Sequence, residues 1–240
     1  VILKTNNELE LARQRLADQL DQVLQLRPLP GLAIKINEAC QQKDTDRQAL
    51  IELIQCDAAI SSKILSVVNS PVYGCSREIG SLDQAVVIMG FKRLSELAIS
   101  IASKQVFETD PATQLSGMAI YEHSLACGTM ARVLARQMGH SLDEGAAFLS
   151  GILHDVGKLF LFDVAPLTCA DLYSQSLSET GQFSTVDQEQ ELFGKCHAQL
   201  GMDFALACGL PVSIRTAIAE HHADEMPERS ELGRLTGLAN

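Results

Sequence analysis

Residues 151–163 read GILHDVGKLFLFD, an apolar run that carries the ionisable side chains His154, Asp155 and Lys158 in its middle. A chain that packs such a run must bury charge, and buried charge is costly unless it is paired or liganded. The fold therefore has to deliver partners to this stretch from elsewhere. Neighbouring side chains at a helix end splay by about a third of a turn, so His154 and Asp155 can grip one ion from adjacent sides. Asp155 and Lys158 also stand three apart, the spacing of a plain helical ion pair.

The six histidines, His123, His140, His154, His197, His221 and His222, all lie in the C-terminal half. His123 reads as mid-helix in YEHSLACGTMARVLA and His197 as mid-helix in ELFGKCHAQLG, while His221 and His222 end IRTAIAEHH. Imidazole is the commonest metal ligand, and bundle helices can project several toward one point. Each has a plainer reading alone. His140 follows Gly139 and reads as exposed or as an ordinary core histidine; His221 and His222 suit the negative end of a helix. Five of them together with Asp155 point to a site for a divalent metal ion.

The rest of the chain reads as helical. Leu9, Ala12, Leu16, Leu20, Val23 and Leu24 share one face of a helix over 6–26, and RPLPGL (27–32) breaks it. Shorter helices follow at 33–42, 47–55 and 57–69, then a turn at NSPVYG, where Pro71 and Gly74 disfavour helix. Ser81 with Gln84, and Ser141 with Glu144, fit capping boxes. Further helices are expected at 91–107, 114–138, 166–178, 185–208, 211–222 and 229–239. LFLF (159–162) reads either way, and no segment shows sustained strand alternation, so the expected fold class is all-α. DPATQ (110–114) marks a boundary between two helical halves. Asp57 suits an N-cap, and Asn69 and Tyr73 are candidates for docking the halves.

Charge and cysteines narrow the function. The net charge of −11 comes without any Lys/Arg-rich run, which disfavours direct binding of nucleic acid. No uncharged apolar stretch is long enough to span a bilayer, and no signal-peptide pattern is present. Seven scattered cysteines without a C-x-x-C pair read as reduced thiols of a cytoplasmic protein. Gly151 to Lys158 misses the spacing of a phosphate loop, and Leu159 stands where that motif needs Ser or Thr. Cys196 beside His197 is the one evident Cys/His neighbour pair, and side chains there point about 100° apart, a weak nucleophile–base arrangement.

H…HD…H…HH with GILHDVGKL resembles the HD superfamily of metal-dependent phosphohydrolases. RPLPGL, IQCDAAISSKILSVVNSPVYG and IGSLDQAVVIMGFKRL are similar to the HDOD family, the HD-related output domains of bacterial signalling proteins. That likeness spans residues 26–240, an N-terminal helical lobe (26–110) packed on an HD-type helical core (114–240), with residues 1–25 as a preceding helix. It implies a metal site of His123, His154, Asp155, His197, His221 and His222 for one or two divalent ions, Fe, Mn, Ni, Mg and Zn not being distinguished. It implies catalytic roles for Asp155 and Lys158, the lysine against a substrate phosphate, if the protein is an enzyme. The HD pattern ends on an Ala-Asp pair; here Ala239–Asn240 stands there, a neutral oxygen for a carboxylate, and no GYP signature follows the HD motif. The expectation is a signal-transduction output or scaffold domain that retains a divalent metal without robust catalysis. Its partner would be a signalling protein or a small phosphorylated ligand, with no nucleic acid and no membrane. The alternative is a metal-dependent phosphohydrolase acting on a nucleotide or cyclic dinucleotide.

Overall fold

The structure is a computed structural model of the 240-residue chain. It describes residues 10, 11, 13–15, 18, 31–41, 47–75, 77–107, 114–138, 142–180, 185–222 and 230–240. Among these residues there is no strand, and thirteen α-helices carry the fold. The all-α expectation holds. The chain divides into two compact units, residues 29–106 and residues 107–240, the latter also taking in 1–28.

The N-terminal unit holds α1 (Gly31–Gln41), α2 (Arg47–Gln55), α3 (Ala58–Val68), α4 (Leu82–Met89) and α5 (Phe91–Lys104). Ile60, Ile64 and Val68 recur every fourth residue along α3 and are buried, as an amphipathic helix requires. Asp57 caps α3, its Oδ1 accepting from the amides of Ala59 and Ile60. Ser81 caps α4 by accepting from the Gln84 amide, and Gln84 accepts in return from Gly80. Asn69 closes α3 and clamps the loop that follows. Its amide donates to the carbonyls of Leu65 and Ile79, and its oxygen accepts from the Ile79 amide at 2.8 Å. These bonds lie within the N-terminal unit and make Asn69 a clamp on that loop. Tyr73 ends a 3-10 turn, Pro71–Tyr73.

The C-terminal unit holds α6 (Gln114–Met138), α7 (Glu144–Leu153), α8 (Val156–Val164), α9 (Pro166–Thr180), α10 (Val186–Phe193), α11 (His197–Ala207), α12 (Val212–Glu220) and α13 (Glu231–Ala239). Residues 146–162, spanning most of α7 and α8, are buried without interruption. The LFLF run is thus helix at the centre of the core. Helix α6 crosses α7 at a pair of glycines: a Cβ on Gly151 would sit 2.5 Å from Gly128 Cα. Helix α8 packs on α11, α12 packs on α7, α11 and α13, and α13 packs on α6 and α7. Glu144–Val164 is the one described stretch long and apolar enough to cross a membrane by length and composition, and 94% of its most apolar window is buried inside the fold.

Three expectations change. Helix α7 begins at Glu144 under an Asp143 cap, whose Oδ1 accepts from the amides of Gly145 and Ala146. Ser141, read as the cap, lies outside the described residues. The helix expected over 185–208 is two helices, broken where Gly194 takes φ +77° and ends α10. His197 therefore opens α11 and is not mid-helix. The helix read over 6–26 and the DPATQ boundary fall largely outside the described residues.

An Asn69→Ala variant loses three hydrogen bonds, and we expect about 1–3 kcal/mol less stability in denaturant unfolding. Its metal content should equal that of the wild type by elemental analysis, because Asn69 belongs to a different unit from the histidines.

Candidate metal centre

Helix α7 ends at Leu153 and α8 starts at Val156, so His154 and Asp155 occupy the break between two buried helices. The Asp155 carboxylate is the middle of the site. Its Oδ2 lies 2.6 Å from Lys158 Nζ, 3.4 Å from His154 Nε2 and 3.7 Å from His123 Nε2. Its Oδ1 lies 3.3 Å from His197 Nε2 and 3.7 Å from His221 Nε2. His222 joins the Oδ1 side, its ligand atom within 4.8 Å of those of Asp155, His197 and His221. Asn240 enters on the Oδ2 side, its Oδ1 2.9 Å from His123 Nε2 and 3.2 Å from His154 Nε2. All the residues read as candidate ligands thus meet around one carboxylate; His140 lies outside the described residues.

Close backbone approach makes this possible. A Cβ on Gly157 would fall 1.9 Å from the His197 carbonyl oxygen, so only glycine lets α8 lie this close to the start of α11. Because α11 starts there, after the Gly194 turn, α10 folds back and sets Glu189 against His197. Glu189 is completely buried. Its Oε2 accepts from both His197 Nδ1 at 2.6 Å and the His197 amide at 2.7 Å, while Oε1 accepts from the hydroxyls of Thr185 and Tyr173. Burial alone would raise the Glu189 pKa, but His197 and these hydrogen bonds outweigh it and hold the carboxyl down at about 2.

The hydrogen bonds also assign tautomers. His154 Nδ1 faces the Gly151 carbonyl at 2.8 Å, and His221 Nδ1 faces the Ile218 carbonyl at 2.6 Å. A carbonyl only accepts, so both Nδ1 atoms carry the proton and both Nε2 atoms present a lone pair. Glu189 does the same for His197. Burial drives the His154 pKa down to about 3 and lowers that of His221, so these rings stay neutral. His197 Nε2 and His221 Nε2 then face each other at 3.3 Å, lone pair to lone pair. Asp155 Oδ1 and His222 Nε2 are buried without a hydrogen-bond partner. Burial also pushes His222 down to about 2. Burial alone would raise the Asp155 pKa, yet the Lys158 ammonium at 2.6 Å helps hold the carboxylate ionised, well below its usual range. Neutral imidazole nitrogens and an ionised carboxylate oxygen converging with no proton between them are what a divalent cation needs, and the residues fit one.

Beside the centre a cavity of about 400 Å³ is lined by Ala119, Ile120, His123, Asp155, Lys158, Phe162, Ala170 and Tyr173. It gives the Asp155–Lys158 edge an approach for a ligand with an apolar body.

Three residues were missed from the sequence. Glu189 looked like one of several acids in an amphipathic helix, and only the Gly194 turn brings it onto His197. Tyr173 lines the cavity through its Glu189 bond. Cys127 stands one helical turn after His123, not beside it, and that spacing was the available signal.

A Glu189→Gln variant keeps the shape but loses the charge behind His197. Metal affinity, titrated against a chromophoric chelator, should fall by about 10–100-fold.

The chain is 23% identical over 207 residues to an uncharacterised protein of Treponema pallidum, covering 86% of this chain and 39% of that one. It is 25% identical over 173 residues to ribonuclease Y of Lactobacillus gasseri, covering 72% of this chain and 24% of the relative. The chain thus spans well under half the length of these relatives. An HDOD domain protein of unknown function from Geobacter sulfurreducens superimposes with a TM-score of 0.73 at 24% identity, covering 88% of this chain and 70% of that one. A Shewanella amazonensis protein provisionally described as a phosphohydrolase gives 0.71 at 23% identity, covering 93% and 78%. These structures share the fold. The HDOD domain pattern matches residues 26–224, most of the chain, and the chain belongs to the HDOD family.

Proposed function

We propose that the protein is a bacterial, cytoplasmic signal-transduction output module that holds a divalent metal ion and does not turn over phosphoesters efficiently. The observation that carries the metal is the pairing of His197 and His221 Nε2 lone pairs beside the orphaned Asp155 Oδ1. A cation there removes the repulsion and satisfies the carboxylate at once. The other side of Asp155 argues against efficient chemistry. Lys158 already holds Oδ2 at 2.6 Å, and Asn240 offers an amide oxygen in place of a carboxylate. In this reading the ion stabilises one arrangement of the helix ends, and occupancy of the adjacent cavity reports to a protein partner. The ligand would be a small phosphorylated molecule with an apolar portion. The net charge of −11 supports a partner other than nucleic acid.

A phosphohydrolase is the second reading, and the cavity at Asp155, Lys158 and His123 is what favours it. A bound divalent ion would supply a water acidified toward neutral pH. Lys158 would neutralise charge on a phosphate entering from the cavity, and His123, half exposed at its mouth, would orient it.

Elemental analysis of the protein purified without chelator, beside Asp155→Ala, tests the metal that both readings need, and a substrate panel separates them. We expect near-stoichiometric metal in the wild type and its loss in the variant. A panel of p-nitrophenyl phosphate, bis(p-nitrophenyl) phosphate, cyclic dinucleotides and single-stranded RNA should give no turnover above the metal-only rate. Hydrolysis that vanishes in Asp155→Ala would replace the signalling reading with the enzyme.

A further inference from the structure

The cavity beside Asp155 joins two kinds of chemistry. Its polar end is the Asp155–Lys158 pair, with His123 at the mouth. An ammonium carries three donors, and Asp155 Oδ2 takes one of them at 2.6 Å, so Lys158 can still meet an anion that enters the cavity.

The other walls hold no side chain that reads a base or a sugar. Helix α6 contributes Ala119 and Ile120, α8 contributes Phe162, and α9 contributes Ala170 and Tyr173. The Tyr173 hydroxyl is committed to Glu189 Oε1 at 2.8 Å, so Tyr173 offers the cavity its ring. Phe162 and Tyr173 stack with centroids 5.5 Å apart and planes 26° apart, and Lys158 Nζ stands 5.6 Å from the Tyr173 centroid. The result is an apolar slot that ends at an ammonium. A nucleobase or a ribose entering it loses water from its donors and acceptors and gains no partner for them. An aryl ring or an alkyl chain loses nothing and buries apolar surface. At about 400 Å³ the cavity is toward the small end of ligand pockets, which suits one ring or a short chain.

Two alanines keep the slot open. Ala119 and Ala170 stand on different helices, both are exposed, and both line the cavity. A larger side chain at either position fills the cavity from its rim and leaves the core packing untouched.

We propose that the cavity takes a phosphate monoester whose body is a single aryl ring or a short alkyl chain, that it discriminates against nucleotides and cyclic dinucleotides, and that Ala119 and Ala170 set the width of body accepted. The inference rests on the reading of the cavity as the site of a small phosphorylated ligand, and goes beyond it in naming the body of that ligand and the residues that select it.

The test is isothermal titration of the protein as purified with phenylphosphonate and hexylphosphonate, which cannot be hydrolysed as esters, beside inorganic phosphate, AMP and a cyclic dinucleotide. Both apolar probes should bind at least about 10-fold more tightly than phosphate or AMP. This comparison needs no variant to fold. In Ala119→Leu and Ala170→Leu the advantage of hexylphosphonate over phosphate should be lost, with metal content by elemental analysis unchanged. AMP or a cyclic dinucleotide binding as tightly as phenylphosphonate overturns the ligand class, and so do apolar probes that bind no better than phosphate. An advantage that survives in both leucine variants overturns the role of Ala119 and Ala170. The signalling reading fails separately: turnover of phenyl phosphate that vanishes in Asp155→Ala replaces it with the enzyme and leaves this ligand class standing.

Discussion

The buried Asp155 carboxylate is the constraint on which the C-terminal unit is built. It sits at the break between α7 and α8, inside an uninterrupted buried stretch, with imidazoles on both sides and one ammonium. Lys158 balances its charge, yet leaves Oδ1 without a donor. The helices that surround it each end, begin or pass at the point where they deliver a nitrogen. Helix α6 brings His123, the end of α7 brings His154, the start of α11 brings His197, and the end of α12 brings His221.

Packing and polarity are therefore coupled. Gly157 lets α8 touch the first carbonyl of α11, and the Gly128–Gly151 contact does the same for α6 and α7. Such contacts hold donor atoms to fractions of an ångström, the tolerance a metal site demands. The cost is a cluster of acceptor atoms with no protons among them, which destabilises the metal-free fold. A divalent ion held there would make its binding and the folding of this unit parts of one equilibrium. Glu189 belongs to the same scheme, because a carboxylate behind His197 makes that ring a better donor and fixes which nitrogen faces the centre.

Local patterns accounted for much of this. Apolar spacing read the helices, and Asp57 and Ser81 marked termini that the structure shows. Capping is a matter of a few residues, so sequence reveals it. The C-terminal helix breaks were harder. Gly194 reads as a tolerated helix glycine until its positive φ is seen, and that one turn decides where His197 points and what Glu189 touches. Asp143 caps α7 from the position directly before the first helical residue.

By itself the sequence determined the helical class, the gathering of histidines in one half and the chemical identity of the donors. Residue type and periodicity are local properties, and they need no partner to be read. Only the tertiary structure decided which atoms meet. It brought His197 and His221 to one oxygen of Asp155 and His123 and His154 to the other, committed the Nδ1 protons of His154, His197 and His221 to a carbonyl or carboxylate, and set the Asn240 amide oxygen against His123. Those are contacts between residues up to 117 positions apart, set by how glycine-lined helices cross and not by any pattern along the chain.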